Sequence, residues 1–330
     1  MAAWPCMGRV TWEIMPTASR LSAVVLCIGL SLPGAAAAQS ASSAEGGVAT
    51  KMAPDSLGLS ADFEGALDRS VNTAYFCKGI ASFIPAPSAG HPNNQALLLT
   101  LDPSKSSSVG RCEPDDAWTE RTEIAEPDDA RLPLGTEVWY GFRFMVPSAM
   151  KGKFVGQRLV IAQLKQHRET CPLGPQPFGP PANALGNPTV SLRVIEDDVG
   201  DVMGLQLAVS GDQARKISIG QLMRHREPFL DRWHEVLLHV KVVPQRPGQS
   251  GDAGFVEGWL DGQPFADGLY GVKDGKGSAD LAEPFGYAGL VGCTYFKYGI
   301  YRDRQDAPWS IAFDRFRRGA TRNSVEAGDH

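Results

Sequence analysis

The 330-residue chain lacks the patterns that carry the commonest hydrolytic and metal chemistries. No G-x-S-x-G elbow is present, which argues against a serine hydrolase of the α/β kind. No strand-like segment carries alternating acids. Asp115-Asp116 and Asp197-Asp198 stand in turn-like contexts, so a glycoside hydrolase with two flanking carboxylates is disfavoured. Histidines number only 6 and do not cluster, close C-x2-C pairs are missing, and no EF-hand loop occurs. No metal and no cofactor is therefore expected. No amphipathic helix runs longer than two turns, and no tandem repeat is visible.

What the chain does have is β pattern, from about Phe63 onward. The expected strands are 95–101, 121–126, 137–147, 158–167, 189–196, 204–210, 216–219, 233–243, 255–260, 295–303 and 310–317. Period-two alternation puts Val138, Tyr140, Phe142, Phe144 and Val146 on one face, and His234, Val236, Leu238, Val240 and Val242 on another. Asp261-Gly262 is the dipeptide of a tight hairpin. The 36 glycines and 24 prolines supply turns, and a hydrophobic share of 43% supplies a core. Many short strands with frequent turns predict an all-β sandwich or jelly roll.

Residues 20–38 join Arg20, a short apolar run, Pro33-Gly34 and four alanines, the layout of a secretory signal peptide cleaved after Ala38. The run is short for a membrane span; an uncleaved anchor is the alternative. A secreted or periplasmic protein is expected, free of the membrane once the signal is removed. Residues 39–60 are rich in Ala, Ser and Gly and read as a flexible linker. Residues 61–330 then form one domain. Cys6 and Cys27 lie in the leader, leaving Cys77, Cys112, Cys171 and Cys293, an even number suited to disulfides in an oxidising compartment. The pairing favoured is Cys77–Cys112 and Cys171–Cys293, because the second bridge ties together two stretches of functional interest. Removing the leader takes away two arginines and one glutamate, so the mature chain is one charge more negative than −5. No nucleic-acid partner is expected of such a chain, and a monomer is.

Three segments carry polar residues on one strand face. In 295–303, Tyr295, Lys297, Gly299, Tyr301 and Asp303 share a face, while Phe296, Tyr298, Ile300 and Arg302 share the other. The first set offers a cation, two phenols and a gap at Gly299 where something could approach the backbone. In 121–126, Arg121 and Glu123 share a face, and Glu123 could hold the guanidinium fork for a carboxylate; a solvated salt bridge is the alternative. In 160–167, Gln163, Lys165 and His167 share a face that either lines a groove or meets solvent. An anionic, hydroxyl-rich ligand would suit such faces, which are costly to bury unpartnered. His225, His234 and His239 read as structural, and Trp118, Trp139 and Trp233 as core.

Together, Arg121-Thr-Glu123, the Gln163 strand and Tyr295-Phe-Lys-Tyr-Gly-Ile-Tyr301 resemble the three signature strands of jelly-roll polysaccharide lyases. They are similar to the alginate lyase family with R-T/S-E, Q-x-H and Y-F-K-x-G-x-Y motifs. They also resemble the heparin lyase I-like family, whose late motif is K-x-G-x-Y; the stretches 137–147, 233–236, 259–262 and 313–319 look like that group too. The resemblance covers roughly residues 60–320. It implies a β-jelly roll, a concanavalin-like sandwich of two antiparallel sheets. It implies a lyase that cleaves an acidic polysaccharide containing uronic acid by β-elimination, leaving unsaturated uronate ends.

The same resemblance implies roles. Arg121 and Gln163 would offset the substrate carboxylate, helped by Lys165 or Lys297. Tyr301 would be the acid, and the base as well unless Lys165 or His167 takes that part. The expected substrate contacts are Lys165, Lys297, Glu123, Tyr295 and Arg302. The chain departs from the pattern where Gln163-Leu-Lys165 replaces Gln-x-His, with His167 two residues further on. A phenol titrates near ~10, so a tyrosine base needs neighbouring cations, and Lys297 is four residues away on the same face. The long 171–188 loop is expected to border the cleft. The departure keeps a second function in view, a jelly roll that holds acidic glycan without cutting it.

Overall fold

The computed structural model describes residues 57–65, 67, 71–73, 79–86, 92–105, 119–153, 158–167, 188–196, 202–209, 229–242, 255–265, 278–280 and 293–326. Among these residues the chain forms strands and short 3-10 turns, with no α-helix. The larger sheet runs β12 (Gln263–Pro264), β11 (Phe255–Leu260), β10 (His234–Lys241), β6 (Glu137–Met145), β15 (Trp309–Gly319), β3 (Gln95–Leu101) and β2 (Gly79–Pro85). Two short strands join it, β1 (Leu59–Ala61) on β15 and β13 (Ser278–Asp280) on β11. The smaller sheet runs β4 (Thr119–Ala125), β14 (Cys293–Asp303), β7 (Leu159–His167), β8 (Val190–Glu196) and β9 (Val202–Val209), with β5 (Leu132–Pro133) also on β14. The pairings are antiparallel throughout these strands. The fold is a jelly roll of two antiparallel sheets, as the strand pattern predicts.

Alternation decides what lies between the sheets. Tyr140, Phe142 and Phe144 of β6 and Phe313 and Phe316 of β15 face inward from the larger sheet, and Phe296, Tyr298 and Ile300 of β14 from the smaller. Their rings meet across the gap: Tyr140 stacks on Phe296 with centroids 4.7 Å apart, and Tyr298 on Phe316 at 4.9 Å. Such pairs add about 0.5–1.5 kcal/mol beyond the area they bury. Strict alternation would not carry both Phe313 and Phe316 inward. A positive φ of 52° at Arg315 and a register shift between Asp314 and Arg317 supply the extra residue. The shift also turns Arg318 inward. There it meets Glu126 of the other sheet's margin at 2.9 Å, with both side chains buried. Glu126 also accepts the Phe296 N–H at 2.8 Å. Burial raises the Glu126 pKa, and the charge of Arg318 acts against that rise.

Several local expectations meet their structural outcome here. Asp261 and Gly262 both have positive φ, 51° and 73°, and join β11 to β12 in a two-residue turn. His234 is a satisfied core residue: Nδ1 meets Asp261 Oδ2 at 2.8 Å and Nε2 meets the Phe229 carbonyl at 2.9 Å. The linker expected to run to residue 60 ends sooner, because β1 begins at Leu59 and buried Leu57 accepts a hydrogen bond from Arg318 Nε at 2.9 Å. Trp139 is not core. It stands half-buried on the outward face of the larger sheet, stacked on His239 at 4.1 Å and on Trp259 at 5.5 Å. Cys77, Cys112, Cys171, Trp118, His225, the 216–219 strand and the 171–188 loop up to Pro188 lie outside the described residues.

Candidate active site

With its apolar side chains given to the core, the smaller sheet turns a polar face outward. Antiparallel register draws rows across this face, because directly paired residues project to the same side. One row is Arg121 on β4, Tyr301 on β14, Val160 on β7, Arg193 on β8 and Gln206 on β9. A second row is Ala125, Lys297, Gln163, Ser191 and Ala208. The three polar segments of the sequence are thus neighbouring strands, β4, β14 and β7.

The face is a sheltered floor. Lys297 is 0% exposed, Glu123 1% and Gln163 3%. That rules out the solvated-face alternative for Glu123 and Gln163. Polar groups so deep need partners, and Glu123 is the hub that provides them. Its Oε1 accepts a short hydrogen bond from Gln163 Nε2, and its Oε2 lies 3.4 Å from Lys297 Nζ. A buried carboxylate, ammonium and amide are held as one unit spanning three strands.

Tyr301 stands beside that unit at the edge of the shelter. Two guanidinium groups approach its ring, Arg121 Cζ at 5.1 Å and Arg158 Cζ at 4.9 Å from the centroid. Both are within cation–π range. Arg158 is fixed by Asp303: Nη2 meets Oδ1 at 2.7 Å, and the backbone N–H of Arg158 meets Oδ2 at 3.1 Å. Tyr295, further along β14, lies under two other cations, Arg131 at 5.4 Å and Lys297 at 5.8 Å. A face that joins cations, phenols and an amide can hold a negatively charged sugar polymer, and Tyr301 offers it an ionisable hydroxyl.

The structure departs from the sequence reading at five points. Glu123 engages Gln163 and Lys297 and does not brace the fork of Arg121. The cations at Tyr301 are Arg121 and Arg158, whereas Lys297 leans over Tyr295. The gap at Gly299 admits no ligand, because the backbone of β4 fills it. Arg302 does not line the groove. It is 0% exposed on the core side, where Nη2 pairs with Glu120 Oε1 at 2.7 Å and donates to the Ala307 carbonyl at 2.6 Å. Finally, His167 pairs with Cys293, eight residues along β14 from Tyr301. At about 3.3 Å per residue the two are on the order of 25 Å apart along the strand, so they are not neighbours that could share a proton. Lys165 pairs with Tyr295, nearer to Tyr301 than His167 but not beside it.

Two residues of the site escape a motif reading. Arg158 sits just before β7 and shows itself only through Asp303. Arg193 was legible: Ser191 and Arg193 alternate with Val190, Leu192 and Val194, the same signal that singles out 121–126. Cys293 is disulfide-bonded, to a cysteine outside the described residues. Among the described residues no group of three His, Cys, Asp or Glu side chains could hold a metal ion.

Comparison with known proteins bears on this face. Residues 92–317 match a family model described as polysaccharide lyase. No curated protein matches the chain. Among solved structures, the endo-β-1,4-glucuronan lyase of the fungus Trichoderma reesei superposes with a TM-score of 0.51 at 16% identity, covering 82% of this chain and 98% of that one. An alginate lyase from Chlorella virus superposes with a TM-score of 0.43 at 11% identity, covering 76% and 92%. At 16% identity the likeness to the glucuronan lyase speaks to the fold alone.

Proposed function

Since the chain belongs to the polysaccharide lyase family, we propose that its polar groove takes a polymer containing uronic acid and cleaves it by β-elimination. The observation that carries this reading is Tyr301 with the guanidinium groups of Arg121 and Arg158 on its ring. In the reaction a base removes the C5 proton of the uronate. The electrons of that C–H bond form the C4=C5 double bond, the C4–O bond breaks, and the departing oxygen takes a proton. The C5 proton is a weak acid until the neighbouring carboxylate and the charge developing beside it are offset. Arg121 and Arg158 supply positive charge for this next to Tyr301, and the second N–H of Gln163 supplies a donor. Tyr301 moves the proton. Its phenolate oxygen takes the proton from C5, and the resulting phenol gives one to the leaving oxygen. Glu123 and Lys297 act by holding Gln163 in position.

The test is ultraviolet absorbance of the unsaturated product, with the protein on glucuronan, alginate, hyaluronan and heparin. Glucuronan goes first because the glucuronan lyase shares the fold across 98% of its length. A rise on one polymer, cut at least ~100-fold in Tyr301→Phe, supports the reading. No rise on any polymer refutes the substrate class, and near-normal turnover of the phenylalanine variant refutes the role of Tyr301.

The apolar leader at 20–38 supports secretion or a periplasmic location with cleavage after Ala38, and a disulfide at Cys293 fits an oxidising compartment. Cys171 is its proposed partner. Mass spectrometry of the exported, unreduced protein would check cleavage site and pairing together.

A further inference from the structure

Asp303 stands two residues beyond Tyr301 on β14 and projects to the same side, with buried Arg302 between them on the other. A carboxylate so close to the group that moves the proton could itself be a base, but its oxygens are already engaged. Oδ1 accepts from Arg158 Nη2 at 2.7 Å, and Oδ2 accepts from the Arg158 backbone N–H at 3.1 Å. A third bond runs the other way, from the Asp303 N–H to the Arg158 carbonyl at 3.1 Å. The two residues are clasped through main chain and side chain together. The clasp fixes the guanidinium that lies 4.9 Å from the centre of the Tyr301 ring.

The position of Arg158 explains why a clasp is needed. Arg158 comes just before Leu159, the first residue of β7, and its side chain is 35% exposed. A long arginine side chain at the start of a strand has many rotamers open to it, and holding one of them costs entropy. Among the described residues its buried Nε finds no hydrogen-bond acceptor, which leaves Asp303 as the group that holds the fork. An ion pair this exposed adds little to folding. A cation that stabilises developing charge works best when it is already oriented before the charge appears. We propose that Asp303 is a positioning residue for the elimination: it acts through Arg158, keeping that guanidinium beside Tyr301, and touches no reacting atom itself. This inference rests on the reading of Tyr301 as the proton-moving group and adds to it the device that orients one of its two cations.

The experiment compares wild type, Asp303→Asn, Arg158→Gln and the double variant on whichever polymer wild type cleaves, after melting curves confirm that all four are folded. Asparagine keeps the shape of Asp303 but offers one acceptor oxygen where two donors need one each. Asp303→Asn is expected to lower kcat about tenfold or more and to leave KM nearly unchanged. Arg158→Gln should lose at least as much. The double variant should be no slower than Arg158→Gln alone, because Asp303 then has nothing to position. An unchanged kcat in Asp303→Asn, or a loss confined to KM, overturns the proposal. So does a double variant whose loss is the product of the two single losses, since Asp303 would then act on another group, such as Arg193, whose charge it also favours. If wild type releases no unsaturated product from any polymer, the lyase reading fails by itself. The positioning is then judged by nuclear magnetic resonance of the Arg158 Nε–H, identified by its loss in Arg158→Gln. The Tyr301 ring should displace this signal in wild type, and Asp303→Asn should return it toward the ordinary arginine position. A signal that stays in place in Asp303→Asn overturns the proposal.

Discussion

Gly299 on β14 and Glu123 on β4 are directly paired, and a Cβ on Gly299 would fall 2.7 Å from the Glu123 Cα and 2.4 Å from the Thr122 carbonyl oxygen. Its φ of 142° lies in a region that L side chains rarely adopt. Nearby, between Tyr298 and Tyr301, the register of β14 against β7 shifts. The glycine lets β4 close tightly on β14 at the level of the hub carboxylate, and the irregularity sets the angle at which Tyr301 leaves the sheet.

Gly299→Ala therefore forces β4 away from β14 and strains the backbone as well. Stability is expected to fall by about 2 kcal/mol or more, and turnover to fall with it, because Glu123 and Tyr301 no longer hold their relative positions. Urea unfolding and the ultraviolet assay on the folded fraction check the two effects separately. An alanine variant as stable as wild type would show that the contact relaxes without consequence.

The Glu123–Lys297 pair is buried on both sides, so removing either member takes an opposite charge away from the other in a desolvated place. Glu123→Gln and Lys297→Met should each destabilise the fold, by up to about 3–5 kcal/mol. The double variant should lose less than the sum, with a coupling of about 0.5–3 kcal/mol. A double-mutant cycle by chemical denaturation measures this directly; strict additivity would mean that the pair contributes nothing as a pair.

Arg302 belongs to stability. Arg302→Met leaves Glu120 without its guanidinium partner and should cost about 3–5 kcal/mol of folding free energy, while KM of the folded enzyme stays the same. A raised KM with an unaltered unfolding curve would return Arg302 to the groove.

Asp231 gives a pH dependence with a definite sign. Hydrogen bonds from Ser148, first its hydroxyl and then its backbone N–H at 2.7 Å, hold the Asp231 pKa below the usual value of 3.8. A lowered carboxylate pKa contributes stability above the unfolded-state value, and that contribution disappears as pH falls through the folded-state value. Wild type should therefore lose stability on acidification below about pH 3.8 more steeply than Asp231→Asn. Asparagine tolerates the positive φ of 56° at this position, so the substitution removes charge and little else. Parallel melting curves at all acid pH values would show that the latch is not electrostatic.

The strand content and the facing of the site residues were legible because both depend on a local property. A strand sends alternate side chains to opposite sides whatever it later pairs with. Hence Tyr295, Lys297 and Tyr301 could be placed on one face and Phe296, Tyr298 and Ile300 on the other, and the Asp261-Gly262 hairpin could be read from two residues. The inward turn of Arg318 was not legible, since it depends on the bulge at Arg315. The partners of Glu123 were not legible either. Arg121 is two residues away on the same strand, but Lys297 and Gln163 arrive from β14 and β7 and are closer in space.

By itself, then, the sequence determined an all-β chain, the parity of its polar faces and the motifs that resemble a polysaccharide lyase. Only the tertiary structure decided which cations stand at Tyr301, that Arg302 is buried away from the groove, that His167 lies far along the strand, and that Arg158 and Arg193 belong with residues more than a hundred positions later. The reason is the same in each case. Register between strands is a long-range choice, set by the packing of the whole core and by single-residue bulges, and one residue of slip reassigns every cross-strand neighbour.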